Sequence, residues 1–137
     1  MTFQLHEQLA ADCHTLGRHG STLLLLNRNA LYPWFILVPE CNETEFYRLD
    51  PNQQSELLTL INQLSGFIEH YFAVDKLNIA TIGNIVSQLH IHVIGRTHTD
   101  PTWPGVVWGT KQFEEYEPQR VKEIMALLIK EQLCAAA

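Results

Sequence analysis

The sequence is short of basic residues, and those it has are not clustered. Nine Lys and Arg residues stand against 15 Asp and Glu residues, which gives a formal net charge of −6 at pH 7. No run of Lys or Arg occurs anywhere in the sequence. Nucleic-acid phosphates are bound by clustered basic side chains, so this composition argues against a nucleic-acid polymer as the partner. A small anionic ligand held by a few hydrogen-bond donors is compatible with it.

Cysteine is scarce as well. The three cysteines, Cys13, Cys41 and Cys134, are odd in number, and no two of them have the C-x-x-C spacing. The sequence therefore favours neither a disulfide framework nor a thiolate zinc site. A reducing cytoplasm is the expected location for such a chain.

Long apolar runs are missing too. The longest apolar stretches, such as Leu23–Leu26 and Trp34–Val38, are far shorter than the roughly 20 residues that a membrane-spanning helix needs. The N-terminal residues contain no basic stretch followed by an apolar one, so we expect no signal peptide. We therefore expect no membrane partner.

The residues that are present have the composition of one globular domain. Hydrophobic residues make up 46% of the chain and charged residues 18%, and a length of 137 residues corresponds to a single domain over residues 1–137. The clearest helix begins at Asp50-Pro51, where Asp is suited to the N-cap and Pro to the first turn. Apolar residues then recur at steps of three and four as far as Phe72.

The predicted order of elements is helix, strands, long helix, strands and helix. Helices are predicted over residues 3–16, from 50 onward and from Glu117-Pro118 onward. Strands are predicted over residues 21–28, 34–38, 77–82 and 87–96. A loop or arm covers residues 99–109. This order favours an α+β fold with a mainly antiparallel sheet and helices packed on one face.

A stripe of alternating polar and apolar residues occupies positions 88–94. In an extended strand, alternate side chains share one face, and neighbours on that face have Cα atoms about 7 Å apart. The apolar set would be buried, while the polar set would be presented on a rigid element, which suits catalysis or ligand binding. The polar set is Gln88, His90 and His92, and the apolar set is Leu89, Ile91 and Val93.

The segment Gly83–Arg96, GNIVSQLHIHVIGR, resembles the signature of the histidine triad (HIT) superfamily. That signature is His-φ-His-φ-His-φ-φ, where φ is apolar, preceded by a Gly-polar pair and often followed by Arg. The stretches Leu25–Arg28 and Phe35–Pro39 are similar to the two strands that open this fold. The resemblance covers roughly residues 20–96 and leaves 97–137 as a C-terminal arm and helix. It implies a HIT-like fold with a mainly antiparallel sheet of about five strands, one long helix and terminal helices.

The chain departs from the general HIT pattern at Gln88, at Ile85 and in the segment Trp103–Gly109. Gln88 stands at the first histidine of the triad, and Ile85 stands where the family often has Ser or Thr next to phosphate. Gln88 and the segment Trp103–Gly109 resemble features of a bacterial subgroup of HIT proteins labelled diadenosine-tetraphosphate-hydrolase-like.

The resemblance implies a homodimer that acts on a small-molecule nucleotide. Family members hydrolyse or transfer a nucleoside monophosphate group attached to a phosphate, an amine or another leaving group, and most need no metal or cofactor. Dinucleoside polyphosphates and phosphoramidates both fit this description. The sequence does not choose between these leaving groups.

By the same resemblance, His90 is the nucleophile and His92 binds a phosphate oxygen or helps to protonate the leaving group. Attack by one nitrogen of His90 on an α-phosphorus would give a nucleotidyl-histidine that water then cleaves, while the other nitrogen donates to a backbone carbonyl. Gln88 can donate and accept hydrogen bonds but carries no titratable proton. We expect it to keep a hydrogen bond and to take no part in acid–base chemistry.

The resemblance also implies a nucleotide-binding set. Asn84, after Gly83, aligns with a polar residue that contacts phosphate, and Asn27 aligns with the residue that holds the ribose hydroxyls. Arg96 fits either an anionic substrate or a structural salt bridge.

Two other classes of function compete with the hydrolase. Gln88 and Ile85 are also compatible with a weakly active or inactive nucleotide-binding dimer. A metal-dependent hydrolase would use His90 and His92 as ligands, but it needs a third ligand, for which His98 or Asp100 would have to fold back.

Overall fold

A computed structural model describes residues 2–135 of the chain. The helices are α1 (Glu7–Asp12), α2 (Pro51–Phe72) and α3 (Pro118–Lys130). The strands are β1 (Cys13–His19), β2 (Thr22–Asn27), β3 (Trp34–Pro39), β4 (Lys76–Ala80) and β5 (Ile91–Arg96). None of the helices within residues 2–135 is long and apolar enough to cross a membrane.

The five strands form one antiparallel sheet in the order β1-β2-β3-β5-β4. Helix α2 connects the central strand β3 to the edge strand β4, and β5 then inserts between them. The prediction of an α+β fold with a five-stranded, mainly antiparallel sheet is confirmed.

The two faces of the sheet bury different clusters. Leu24 and Leu26 of β2 belong to the cluster that contains the apolar faces of α2 and α3. Leu23 and Leu25 belong to a second cluster, on the opposite face, which includes Leu9 of α1. This division follows from the alternation of side chains along a strand. The two long helices therefore cover one face and leave the other face for α1, loops and a cleft.

Helix α2 forms where its sequence signals predict it. Asp50 is the N-cap, and its Oδ1 accepts a hydrogen bond of 2.9 Å from the backbone N–H of Gln53. Pro51 occupies the first turn, where its missing N–H costs nothing. The helix ends at Ala73, which adopts a left-handed conformation with φ of 50°. Its buried face consists of Leu57, Leu60, Ile61, Leu64, Phe67 and Ile68.

The N-terminal segment differs from the prediction of a helix over residues 3–16. The helix covers only Glu7–Asp12, and from Cys13 onward the chain forms β1. Strand β1 pairs with β2 from Cys13↔Asn27 to His19↔Thr22, with an irregularity between Thr15 and Gly17. Pairing with the next strand, β2, decides the conformation here, and the local apolar spacing does not indicate that pairing.

The histidine strand is shorter than the predicted 87–96. Strand β5 begins at Ile91, and residues 81–90 connect β4 to it without regular structure. The apolar residues of the stripe are buried in the cluster under α2 and α3, as predicted. His92 pairs with Ile36 of β3 and so lies on the opposite face.

Candidate active site

A cleft of about 430 Å³ lies on the face of the sheet opposite α2 and α3. This volume is within the range of small-molecule sites. Four parts of the chain form it: α1 with the start of β1, the strands β2, β3 and β5, the loop between β4 and β5, and the segment between β5 and α3. The lining residues are Leu9, Asp12, Cys13, Asn27, Trp34, Ile36, Ile82, Gly83, Asn84, Ile85, Val86, His90, His92 and Trp108.

The walls of the cleft are mostly apolar and carry little charge. Within residues 2–135, no Lys or Arg lines it, and Asp12 is its only carboxylate. The polar groups are two histidines and two asparagines, together with the thiol of Cys13, whose pKa burial raises to about 12. Apart from Asp12, the cleft therefore offers neutral hydrogen-bonding groups between apolar walls.

His90 is held in one orientation by the backbone. Its Nδ1 lies 2.7 Å from the carbonyl oxygen of Gln88, and only 7% of the residue is exposed. A carbonyl oxygen can only accept, so Nδ1 carries the proton, and a neutral ring has its lone pair on Nε2. This contact is the one that the family resemblance implies for a nucleophilic histidine.

His92 lies beside His90, with ring centroids 5.0 Å apart. The indole N–H of Trp34 donates to its Nδ1 at 2.9 Å, and the ring of Trp108 packs edge-on at a centroid distance of 5.1 Å. Burial, with a smaller contribution from the charge of His90, lowers the pKa of His92 to about 4. His92 is thus neutral near pH 7.

The side chain of Gln88 is not among the residues that line the cleft. Its Oε1 accepts from the backbone N–H of His6 at 2.8 Å, and its Nε2 donates to the backbone carbonyl of Gln4 at 2.9 Å. The side chain therefore holds the N-terminal segment, while the carbonyl of the same residue orients His90. This residue lies before β5, so it shares no regular strand with His92.

The loop before the histidines contributes Gly83, Asn84 and Ile85 to the cleft. Gly83 has a φ of 71°, in the left-handed region that glycine adopts without strain. Asn84 is exposed at the cleft wall. Ile85 is 95% exposed, so its apolar side chain faces solvent at the position where a hydroxyl residue is common in the family.

Asn27 closes the cleft at the end of β2, and Asp12 lies at the end of α1. Oδ1 of Asn27 accepts from the N–H of Asn29 at 2.9 Å, which fixes the amide. A carboxyl oxygen of Asp12 accepts from Nε2 of Gln8 at 2.9 Å. The structure thus brings five of the predicted site residues to one cleft, whereas Gln88 is not among the residues that line it. Those five are Asn27, Gly83, Asn84, His90 and His92.

Arg96 is a structural residue. It is 2% exposed, and its guanidinium donates to both carboxyl oxygens of Asp100, at 2.7 and 2.9 Å. It also donates to Asn78 at 2.9 Å and to Thr102 at 3.2 Å. Of the two interpretations that the sequence left open, the structural salt bridge is the one observed.

The third ligand that a metal site would need is not in place. Asp100 is engaged by Arg96, and the ring of His98 packs against Trp103 at a centroid distance of 4.8 Å. In the part of the chain from residue 2 to residue 135, no group of three or more His, Cys, Asp or Glu side chains is arranged to hold a metal ion.

Comparison with known proteins agrees with the fold. The family model described as the HIT domain matches residues 8–99. Because this match covers more than half of the chain, the chain belongs to the HIT domain family. Among curated protein sequences, no match was found.

Solved structures with clear sequence similarity extend over almost the whole chain. A histidine triad protein from Marinobacter aquaeolei VT8 is 41% identical with a TM-score of 0.90, and the match covers 96% of this chain and 98% of that one. A histidine triad (HIT) protein from Sinorhizobium meliloti 1021 is 34% identical, also with a TM-score of 0.90, over 95% and 97% of the two chains. One from Bradyrhizobium japonicum is 35% identical with a TM-score of 0.89, over 94% and 97%.

Proposed function

We propose that the chain is a nucleotidyl hydrolase that acts through His90. It would cleave a nucleoside phosphate conjugate at the α-phosphate, or transfer the nucleotidyl group to another acceptor. The observation that carries this proposal is the contact between Nδ1 of His90 and the carbonyl oxygen of Gln88. It leaves the Nε2 lone pair of a buried, oriented imidazole available in a cleft that is sized for a small ligand.

The reaction has two displacement steps. In the first, Nε2 of His90 bonds to the α-phosphorus, and the bond to the leaving group breaks with its electron pair going to the leaving group. The proton on Nδ1 stays on the ring and donates to the carbonyl of Gln88, which stabilises the positive charge of the phosphorylated imidazole. In the second, water bonds to phosphorus, the P–N bond returns its electron pair to Nε2, and one water proton passes to solvent.

The other cleft residues have roles in binding. His92, 5.0 Å from His90 between ring centroids, contacts the transferring phosphoryl group. Asn84, with the backbone around Gly83, would contact phosphate, and Asn27 would contact the ribose hydroxyls, as the family resemblance implies; all three residues line the cleft. The apolar walls are suited to the flat face of a nucleobase.

The charge of the cleft bears on the leaving group. No basic side chain among the described residues lines the cleft, and the whole chain has a net charge of −6. A tetraphosphate brings several negative charges to this surface, whereas a phosphoramidate brings fewer, so the phosphoramidate is repelled less. Both substrates therefore belong in the same assay.

A homodimer that pairs through β4 is part of the proposal. The other edge strand, β1, is bridged by the C-terminal segment, where Arg18 and Ala135 exchange two backbone hydrogen bonds of 3.1 and 2.8 Å. Strand β4 lies at the opposite edge and carries Ile79, which is 50% exposed. An exposed edge strand with an apolar side chain is a ready site for pairing with a second copy.

The experiment is an assay of AMP release in the presence of chelator. Purified protein is incubated with diadenosine tetraphosphate and, separately, with an adenosine phosphoramidate. We expect the wild-type chain to release AMP and His90→Ala to lose at least about 10³-fold in rate, because the nucleophile is gone. His98→Ala, which removes an exposed histidine outside the cleft, is the matched control and should retain the wild-type rate.

Each other outcome points to a competing class of function. If the protein binds AMP but releases none from either substrate, the nucleotide-binding dimer is favoured. The exposed Ile85 is the structural argument for that class. Activity that chelator removes would favour a metal-dependent hydrolase. Activity that survives His90→Ala would refute the assignment of His90 as the nucleophile.

A further inference from the structure

The hydrogen bond between Trp34 and His92 is built by the register of β3 and β5. Trp34 pairs with Ile94, and His92 pairs with Ile36, so the two rings are diagonal neighbours on the cleft face. Trp34 is 7% exposed and His92 5% exposed. Their nitrogens are 2.9 Å apart. A diagonal pair of long side chains on adjacent strands can interact directly, and here both strands lie inside the sheet.

Only one assignment of donor and acceptor is possible for this hydrogen bond. The indole nitrogen of Trp34 donates and cannot accept, so Nδ1 of His92 must present its lone pair. A neutral imidazole has one ring proton, which must then be on Nε2. Protonation at Nδ1 would place two N–H groups against each other in a buried contact.

The surroundings of His92 contain little that would favour a positive charge. His90 faces it from the preceding loop, and Asp12 and Cys13 line the same cleft from the end of α1 and the start of β1. Among residues 2–135, strand β3 and the segment before Gly109 contribute Trp34, Ile36 and Trp108 to this cleft and no charged side chain. Burial and the nearby His90 both lower the pKa of His92. The indole donor acts in the same direction, because it occupies the lone pair of Nδ1.

We propose that Trp34 is a positioning residue that fixes His92 as the neutral Nε2–H tautomer, so that His92 serves as a hydrogen-bond donor to the phosphoryl group and not as a general acid. Loss of the Nε2 proton would leave an anionic ring, because Nδ1 has no proton of its own. The leaving group then takes its proton from solvent. The role of His92 as a donor to the phosphoryl group rests on the proposed hydrolase. The assignment of its tautomer does not.

The first measurement uses the unmodified protein. Long-range ¹H–¹⁵N spectra of uniformly labelled protein identify which nitrogen of His92 carries the proton, and a coupling across the N–H···N bond links Trp34 Nε1 to His92 Nδ1. We expect the Nε2–H tautomer from pH 8 down to about pH 5, together with this coupling. A proton on Nδ1, or a cationic His92 at pH 6, would overturn the inference.

The second measurement compares two tryptophan variants. Trp34→Phe removes the donor, while Trp108→Phe alters a ring that touches His92 edge-on, 5.1 Å away, without a hydrogen bond to it. In Trp34→Phe we expect a mixture of tautomers and a His92 pKa about one unit higher. In Trp108→Phe we expect the wild-type tautomer. Unchanged His92 spectra in a folded Trp34→Phe variant would contradict the role assigned to Trp34.

The kinetic measurement separates this inference from the proposed function. We expect Trp34→Phe to lower kcat on the order of tenfold with little change in KM, as for other residues that orient a reacting group. If His90→Ala is fully active, the proposed hydrolase fails while the tautomer result still stands. If His90→Ala is inactive but Trp34→Phe changes neither spectrum nor kcat, only the inference about Trp34 fails.

Discussion

At the scale of single residues, the two cleft histidines differ in what faces their Nδ1 atoms. Nδ1 of His90 meets a carbonyl oxygen, and Nδ1 of His92 meets an indole N–H. His90 therefore presents a lone pair on Nε2, whereas His92 presents a proton on Nε2. Two imidazoles that look equivalent in the sequence are thus given opposite chemistry by Gln88 and Trp34.

The lowered pKa of His92 predicts how stability depends on pH. Its folded-state pKa is about 4, whereas an unperturbed histidine has a pKa of about 6.5. Between these values the unfolded chain binds more protons than the folded chain, so the free energy of unfolding falls as the pH falls through this window. Urea unfolding at pH 7.5 and pH 5 should show a loss of about 2 kcal/mol from this residue.

The control for this prediction is a second histidine. His92→Asn should lose most of that pH dependence, while His98→Asn, at an exposed position, should keep it. His14, whose pKa burial also lowers, contributes in the same direction in all three proteins and cancels in the comparison. An identical fall in stability for wild type and His92→Asn would show that His92 is not held neutral.

At the scale of elements, the N-terminal segment is attached to the histidine loop through Gln88. The side-chain amide of this residue binds the backbone at Gln4 and His6, just before α1. The same helix supplies Leu9 and Asp12 to the cleft wall. Gln88 therefore links the N-terminal segment to His90, because its side chain binds the segment and its carbonyl orients the His90 ring.

We predict that Gln88→Ala loosens the N-terminal segment while the sheet remains intact. The two partly exposed hydrogen bonds stabilise the segment by roughly 1 kcal/mol, so the amide of His6 should exchange with solvent about fivefold faster. Amide hydrogen exchange followed by NMR measures this effect. Ser87→Ala, one residue earlier at an exposed position, is the control. Unchanged protection at His6 in Gln88→Ala would show that the segment is held by other contacts.

Elements that depend on local signals could be predicted from the sequence. The N-cap and first turn at Asp50-Pro51, the apolar face of α2, and strands β2 and β3 are each specified by neighbouring residues. The burial of the apolar residues of the histidine stripe followed from alternation alone. Strand β1 was missed because its conformation depends on pairing with β2, and its apolar residues also fit a helix.

The site could be predicted only in part, because some of its residues belong to local motifs and others are brought in by packing. The histidine motif and Asn27 are recognisable in the sequence, and the structure brings them to one cleft. Trp34, Trp108 and Asp12 were missed as cleft residues, because the packing of distant segments places them there. The only sequence signal for Trp34 was its position at the start of a strand, which does not indicate the strand that it faces.

At the scale of the whole molecule, the sheet separates the larger hydrophobic cluster from the cleft. Helices α2 and α3 pack on one face and bury the larger cluster. The opposite face buries a smaller cluster and contains the cleft. We therefore expect substitutions in the cleft to leave the larger cluster intact.

The oligomeric state gives a prediction at this scale. We expect the 15.7 kDa chain to have the mass of two copies in light scattering, and Ile79→Lys on β4 to shift it toward one copy, because a charge on an edge strand opposes pairing. Leu58→Lys, at an exposed position of α2, is the control. If the wild-type protein has the mass of one copy, the proposed dimer is refuted. If Ile79→Lys still has the mass of two copies, the interface does not lie at β4.

The most direct test of the account is to look for the covalent intermediate on His90. Protein mixed with an adenosine phosphoramidate is quenched within milliseconds to seconds, and its mass is measured intact and after digestion. The account predicts a mass increase of one adenylyl group, localised to the peptide that contains His90 and absent from His90→Ala. AMP release with no adduct at any quench time, or an adduct on another residue, would contradict it.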